Sequence, residues 1–232
     1  MKKTTNIAFC ALAALCLGGN AYAGSWSARG DFSLAANPNG VWSYGSELTL
    51  DAFSAYSTTS RDGGCGNSKV SAWSYDVNLP FVMANNSGTD QICAGYITIP
   101  IDVLHMHPGG DGSYSVTRWT APESGIFEIT GFFEGLNARF PTTTDDHLVQ
   151  NGTAIFDVNI HSANIPTSFD VVVTMNAGDT LDFAVGPGDN GYTGDSTGLS
   201  ATITTAGAAP EPGTMWLVLG VVGFIGPRVL RK

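Results

Sequence analysis

Apolar residues recur at every second position through most of this chain, and short clusters of Gly, Asn, Asp and Pro break the pattern. No stretch between residues 24 and 204 keeps a helical period. Alternation runs through Tyr114–Thr120, Ile126–Phe133, Thr153–Ile160, Phe169–Met175, Thr180–Val185 and Leu199–Thr204. Earlier windows are Val41–Tyr44, Leu48–Phe53, Val70–Tyr75, Phe81–Ala84 and Ile92–Ile99. Turn chemistry lies between them, as in Asn37-Pro38-Asn39-Gly40, His107-Pro108-Gly109-Gly110 and Gly186-Pro187-Gly188-Asp189. Asn151-Gly152, between two apolar runs, predicts a tight hairpin. About eleven short strands in one chain of this size predict an all-β fold, a single antiparallel β-sandwich of jelly-roll-like form.

The two ends follow a different logic. Lys2 and Lys3 precede an apolar run from Ile7 to Leu17, and Ala21-Tyr22-Ala23 offers two small side chains to a signal peptidase. This predicts a signal peptide over 1–23 with Gly24 as the new N-terminus. Cys10 follows Phe9 and Cys16 follows Leu15, without the small residue that a lipoprotein signal places before its cysteine. At the other end Pro210-Glu211-Pro212 precedes an apolar run from Met215 to Ile225, and Arg228, Arg231 and Lys232 follow. That order predicts a membrane helix over about 214–230 whose basic end stays cytoplasmic. The expected division is a signal peptide at 1–23, a β-sandwich at 24–204, a linker at 205–209 and a tail at 210–232.

The stretch Pro210-Glu211-Pro212-Gly213-Thr214-Met215-Trp216, the apolar run and the basic end resemble the PEP-CTERM sorting signal of Gram-negative bacteria. Such tails are also known as the ice-binding protein C-terminal domain. The resemblance implies recognition by an exosortase, loss of the tail, and a producer of extracellular polysaccharide. Pro227 inside the basic end departs from the pattern and shortens the helix. Asn37–Gly45, His107-Pro108-Gly109, Arg118–Pro122, Asn151-Gly152-Thr153, Gly178–Phe183 and Asp195–Leu199 resemble a sandwich domain found in many PEP-CTERM proteins. That second resemblance implies a shared fold and ligand binding, but no reaction. Ice binding is not expected, because Thr142-Thr143-Thr144 and Thr202-x-Thr204-Thr205 make no regular rows.

Five of the ten Lys and Arg residues and one of the twenty acids fall in the end segments, so the part between them carries a net −14. Such a surface repels nucleic acid, and none is expected as partner. It suits neutral sugars or cations. Cys65 and Cys93 are the cysteines left after signal removal, and export into an oxidising compartment predicts that they pair.

Chemistry is thinner. His105-x-His107 on a strand puts two imidazoles on one face, a start for a metal site that His147, beside Asp145 and Asp146, would complete. Asp179, Asp182, Asp189, Asn190 and Asp195 are candidate oxygen ligands for Ca²⁺, with Asp179, Asp189 and Asp195 as the leading set. The alternative for each is a turn former. Trp42-x-Tyr44 and Trp73-x-Tyr75 each place two rings on one strand face, fit either to stack on sugar or to fill the core. Trp119 reads as core. No nucleophile elbow appears, and Glu123, Glu128 and Glu134 are merely available acids. The reading is therefore an exported non-catalytic β-sandwich without a resident cofactor. It is sorted by an exosortase and associated at the cell surface or outside with extracellular polysaccharide. A metal-dependent or glycan-active enzyme and a membrane-tethered interaction domain are the alternatives.

Overall fold

The computed structural model describes residues 24–62, 65–74 and 80–206. The expected signal peptide with Ala21 and Ala23, the tail with Pro210, Glu211 and Pro212, most of the linker, and Tyr75 lie outside the described residues. Among those described, every element is a strand. The first half holds β1 (Ser25–Ser27), β2 (Trp42–Glu47), β3 (Ser54–Ala55), β4 (Thr58–Asp62), β5 (Asn67–Ser74), β6 (Phe81–Asn85), β7 (Gln91–Cys93) and β8 (Ile97–Ile99). The second half holds β9 (Leu104–His107), β10 (Tyr114–Thr120), β11 (Gly125–Gly135), β12 (Asp145–Gln150), β13 (Thr153–Asn159), β14 (Thr167–Met175), β15 (Thr180–Gly186) and β16 (Thr197–Thr205).

Two antiparallel sheets face each other. The first runs β14-β11-β16-β9-β6-β5-β4, with β1 also on β16; the second runs β13-β12-β15-β10-β2-β3. Alternation decides what each strand buries. From the first sheet Leu104, Met106, Phe127, Ile129, Phe133, Leu199 and Ile203 point inward; from the second come Trp42, Tyr44, Trp119, Leu148, Leu181, Phe183 and Val185. Trp119 stacks edge-on against Phe127 with ring centroids 5.0 Å apart, and Phe169 bridges Phe133 and Phe183 at 5.4 and 5.9 Å. Deleting one such ring leaves a void that costs about 3–5 kcal/mol.

The β12–β13 hairpin turns at Asn151 and Gly152, both with positive φ (49° and 79°), as the Asn-Gly pair demands. Two windows depart from the strand reading. Leu48–Phe53 is a covering segment, not a strand. Leu48 is exposed, while Phe53 lies over the guanidinium of Arg118 with the ring centroid 4.1 Å away. Ile92–Ile99 is a ribbon of two short strands, because Ala94 and Gly95 take positive φ (51° and 81°) and reverse the chain.

The β7–β8 ribbon packs on the outer face of the first sheet. Cys93 and Ile99 meet Val70, Ala72 and Met83 there in a small second core. Cys65, just before β5, is bonded to Cys93, 28 residues on. Closing a loop of that length stabilises the fold by about 3–4 kcal/mol in the chain-entropy model. Asn85 adds to the clamp by donating from Nδ2 to the carbonyls of Thr89 (2.9 Å) and Ile99 (2.8 Å).

Candidate functional site

The same alternation that buries Leu104 and Met106 turns His105 and His107 to the opposite, outer face of the first sheet. Phe81 of β6, registered opposite His107, shares that face. Its ring meets His105 edge-on at 4.9 Å and His107 at 5.7 Å. These three rings are the floor of a cleft of about 370 Å³, at the lower end of the roughly 300–1,000 Å³ typical of small-molecule sites.

Three segments raise the walls. The ribbon contributes Tyr96, Ile97 and Ile99. The turn after β11 contributes Asn137 and Phe140. Asn137 Oδ1 accepts the backbone N–H groups of Arg139 and Phe140, both at 3.0 Å, which sets the direction of that turn. The loop before β16 contributes Tyr192, Thr193, Gly194 and Ser196. Backbone bonds lace the walls together. Ala138 N–H donates to Tyr96 O (2.9 Å), Thr98 N–H to Leu136 O (3.1 Å) and Leu136 N–H to Ser196 O (2.8 Å). Tyr96 and Phe140 meet edge-on at 5.6 Å, with the Arg139 guanidinium 5.4 and 5.2 Å from their centroids. Tyr192 stands against His107 at 6.4 Å. Phe140 is 38% exposed and Tyr192 42%, so both offer ring surface to solvent.

The polar groups of this cleft are few and neutral. His105 is 3% exposed, and neither ring nitrogen has a hydrogen-bond partner. Burial, helped by His107, lowers its pKa to about 3, so the ring is neutral, with one N–H and one lone pair to offer. Burial also lowers the pKa of His107, against a bond between its Nδ1 and Pro108 O (2.9 Å). No carboxylate lines the cleft among the described residues.

The outer face of the second sheet carries a different concentration of polar groups. Arg118 grips Asp182 with both nitrogens, at 2.6 and 2.7 Å. Tyr114 donates its hydroxyl to Asp145 (2.9 Å), and His147 lies between Asp145 (3.3 Å) and Asp157 (2.5 Å). Burial lowers the His147 pKa, but the bonds to Asp145 and Asp157 outweigh it and raise the pKa overall. Gly186 makes this possible, since a Cβ there would strike both the Asp145 carboxylate and the Tyr114 ring. Glu47, opposite Tyr114, is 2% exposed with both carboxyl oxygens unpaired. Burial, then Asp182, push its pKa up to about 7, with Arg118 pulling the other way.

The sequence candidates therefore separate. His105 and His107 do share a face, but His147 is on the opposite sheet and completes nothing with them. Trp42 (1% exposed), Tyr44 (0%) and Trp73 (6%) are core residues, so they present no stacking surface. Trp42 and Tyr44 alternate to the inner face, as does Trp73, and the facing sheet covers them. Asp179 sits at the start of β15, where it accepts Asn176 N–H (2.7 Å) in a turn. Asp189 and Asp195 follow the other end of that strand, about 20 Å away at roughly 3.3 Å per residue, so the three form no common set. Asn190 accepts the Thr143 hydroxyl at 2.6 Å. Among the described residues no three His, Cys, Asp or Glu gather as a metal site. Tyr96, Asn137, Arg139 and Phe140 escaped the sequence reading. Their signal is an aromatic left in a polar turn, Arg139-Phe140-Pro141, where no core needs it.

No family model matches this chain, and no curated protein does. Several solved β structures are weakly similar. A CBM51 from Clostridium perfringens GH95 in complex with methyl-galactose is 13% identical, covering 78% of this chain and 100% of that one with a TM-score of 0.38. A family 35 carbohydrate binding module from Clostridium thermocellum is 14% identical over 52% and 81% of the two chains, with a TM-score of 0.30. Rabbit GITRL gives 14% identity over 40% and 74%, also with a TM-score of 0.30. Scores this low carry no argument about function.

Proposed function

We propose that this chain is an exported, non-catalytic β-sandwich of jelly-roll type that binds a neutral glycan in the cleft between the ribbon and the loop before β16. The observation that carries the reading is His105, a buried, neutral ring with a donor and an acceptor both unspent. Leaving such atoms unmade costs about 1–3 kcal/mol. A sugar hydroxyl can satisfy either one, since it both donates and accepts. Exposed Tyr192 and Phe140 supply flat apolar surface for the carbon face of a pyranose ring, and among the described residues no carboxylate lines the cleft to be desolvated. The ends belong to the same proposal. Signal peptidase would cut after Ala23, and an exosortase of a PEP-CTERM system would act at Pro210–Pro212, delivering the domain to extracellular polysaccharide.

The test is co-sedimentation of the purified protein with a panel of neutral and acidic polysaccharides. Retention by a neutral member, weakened in Tyr192→Ala, is expected; passage through the whole panel would end the glycan reading. One observation favours an enzyme instead. Glu47 is a carboxyl with a pKa near 7 beside Tyr114, as a general acid requires. Neighbouring acids are already engaged, Asp182 by Arg118 and Asp145 by Tyr114 and His147, which leaves neither as a free partner for acid–base work, so binding is the function we carry forward. Hydrolysis of any panel member that is lost in Glu47→Gln would reverse that choice.

A further inference from the structure

We infer that the end of the sandwich beneath the loop before β16 holds a hard divalent cation, Ca²⁺, between Asp146 and Asp195. Asp146 alternates with Leu148 on β12 and so points between the sheets. It is fully buried, and neither carboxyl oxygen has a hydrogen-bond partner. Asp195 is also fully buried; its Oδ1 accepts Thr143 N–H at 3.1 Å, and its Oδ2 is unpaired. Two hydroxyls stand with them. Thr144 Oγ1 lies beside Asp146 but is 3.2 Å from Thr197 Oγ1, so each threonine is engaged with the other.

Charge decides the class of ligand. Burial raises the pKa of both carboxyls; on Asp146 the nearby Thr144 hydroxyl works against it, while the charges of Asp145 and then Asp195 add to it. Among the described residues neither acid enters an ion pair; Arg118 is spent on Asp182, and His147 faces Asp145 and Asp157 on the outer side. Without a counter-charge Asp146 is held toward its protonated form; a divalent ion would displace that proton and meet two carboxylates. Their unpaired oxygens, with the two threonine hydroxyls and nearby carbonyls, are the all-oxygen set that Ca²⁺ takes at about 2.3–2.6 Å. Three carboxylates are not needed, because hydroxyl and carbonyl oxygens fill the remaining positions. The site is also placed to act on the fold. It would join β12 to the loop before β16, which the Thr142 hydroxyl already ties by donating to Gly194 O (3.3 Å).

The inference is independent of the glycan reading and is tested without a glycan. Purified protein is stripped with EDTA, and its thermal midpoint is read with added Ca²⁺, Mg²⁺ or neither, alongside equilibrium dialysis with ⁴⁵Ca. We expect one Ca²⁺ bound per chain and a higher midpoint with Ca²⁺ than with Mg²⁺. Asp146→Asn keeps the side-chain shape and removes the buried charge. It should fold, melt no lower than the stripped wild type, and lose both the bound ion and the Ca²⁺ response; Asp195→Asn should lose them too. A midpoint indifferent to Ca²⁺ and EDTA with no ion retained would overturn the inference. So would a Ca²⁺ response that survives in Asp146→Asn.

Discussion

Glu47→Gln should make this protein more stable at alkaline pH and leave it unchanged at acidic pH. In the fold Glu47 is 2% exposed, with no hydrogen-bond partner and a pKa near 7. In the unfolded chain its pKa is the ordinary value near 4.5. Below that value both states hold the proton, and the group contributes no pH dependence. Between about 4.5 and 7 the unfolded chain releases the proton while the fold keeps it, so stability falls as pH rises. Above 7 the loss is complete. The interval corresponds to about 3 kcal/mol at about 1.4 kcal/mol per pH step. Gln carries no proton to release, so the variant should gain about that much over wild type at pH 8. For a domain of this size that is about 6–12 °C in the thermal midpoint. Asp146 and Asp195 shift in the same direction, but both are present in both proteins, so the wild-type-minus-variant difference isolates Glu47. Urea titrations at pH 4.5 and 8 with the disulfide intact read it directly. Equal stabilities at pH 8, or a variant weaker there than wild type, would refute the reasoning.

Replacing both Cys65 and Cys93 by Ser should lower stability by about 3–4 kcal/mol and raise proteolysis of the β7–β8 ribbon, read by limited digestion; an unchanged urea midpoint would argue against the clamp. Trp42→Ala should cost about 3–5 kcal/mol of unfolding free energy, because the ring is core; a stable variant with altered glycan retention would return Trp42 to the surface role. In a host with an exosortase, Glu211→Ala with Pro212→Ala should leave a longer, membrane-bound species while wild type appears shorter and released. Identical full-length membrane forms of both would mark a plain anchor.

Much of the sandwich is legible in the sequence because its long strands alternate cleanly. β14 and β15 place large apolar side chains at every second position, β11 and β16 do so apart from Gly131 and Ala201, and each buries that face, whereas β10 turns Ser115, Thr117 and Trp119 inward. β12 is legible only as the short apolar run before Asn151-Gly152; Asp145-Asp146-His147 reads as candidate metal ligands, because the inward residue at that end is Asp146 rather than a hydrophobe. Leu48–Phe53 fails the other way, because Phe53 covers the Arg118 side chain and Leu48 is exposed, and neither joins a ladder. The aromatic pairs show a deeper limit. A period of two says that Trp42 and Tyr44 share a face, but not which face the other sheet will cover. The candidate cleft is built by three segments distant in sequence, around Tyr96, Phe140 and Tyr192, and only the fold brings them together. His105 and His107 are marked from the residues, though as a pair of metal ligands rather than for the two unspent nitrogens of His105.

The central claim is that these nitrogens meet a sugar. Calorimetric titration of wild type and His105→Phe with the oligosaccharide of whichever neutral polysaccharide retains the protein tests it most directly. Phe removes two orphaned polar atoms while keeping the ring against Phe81, so the fold should be no weaker. Affinity should fall about tenfold, the equivalent of about 1.4 kcal/mol for one lost hydrogen bond. Equal affinities for the two proteins would contradict the account.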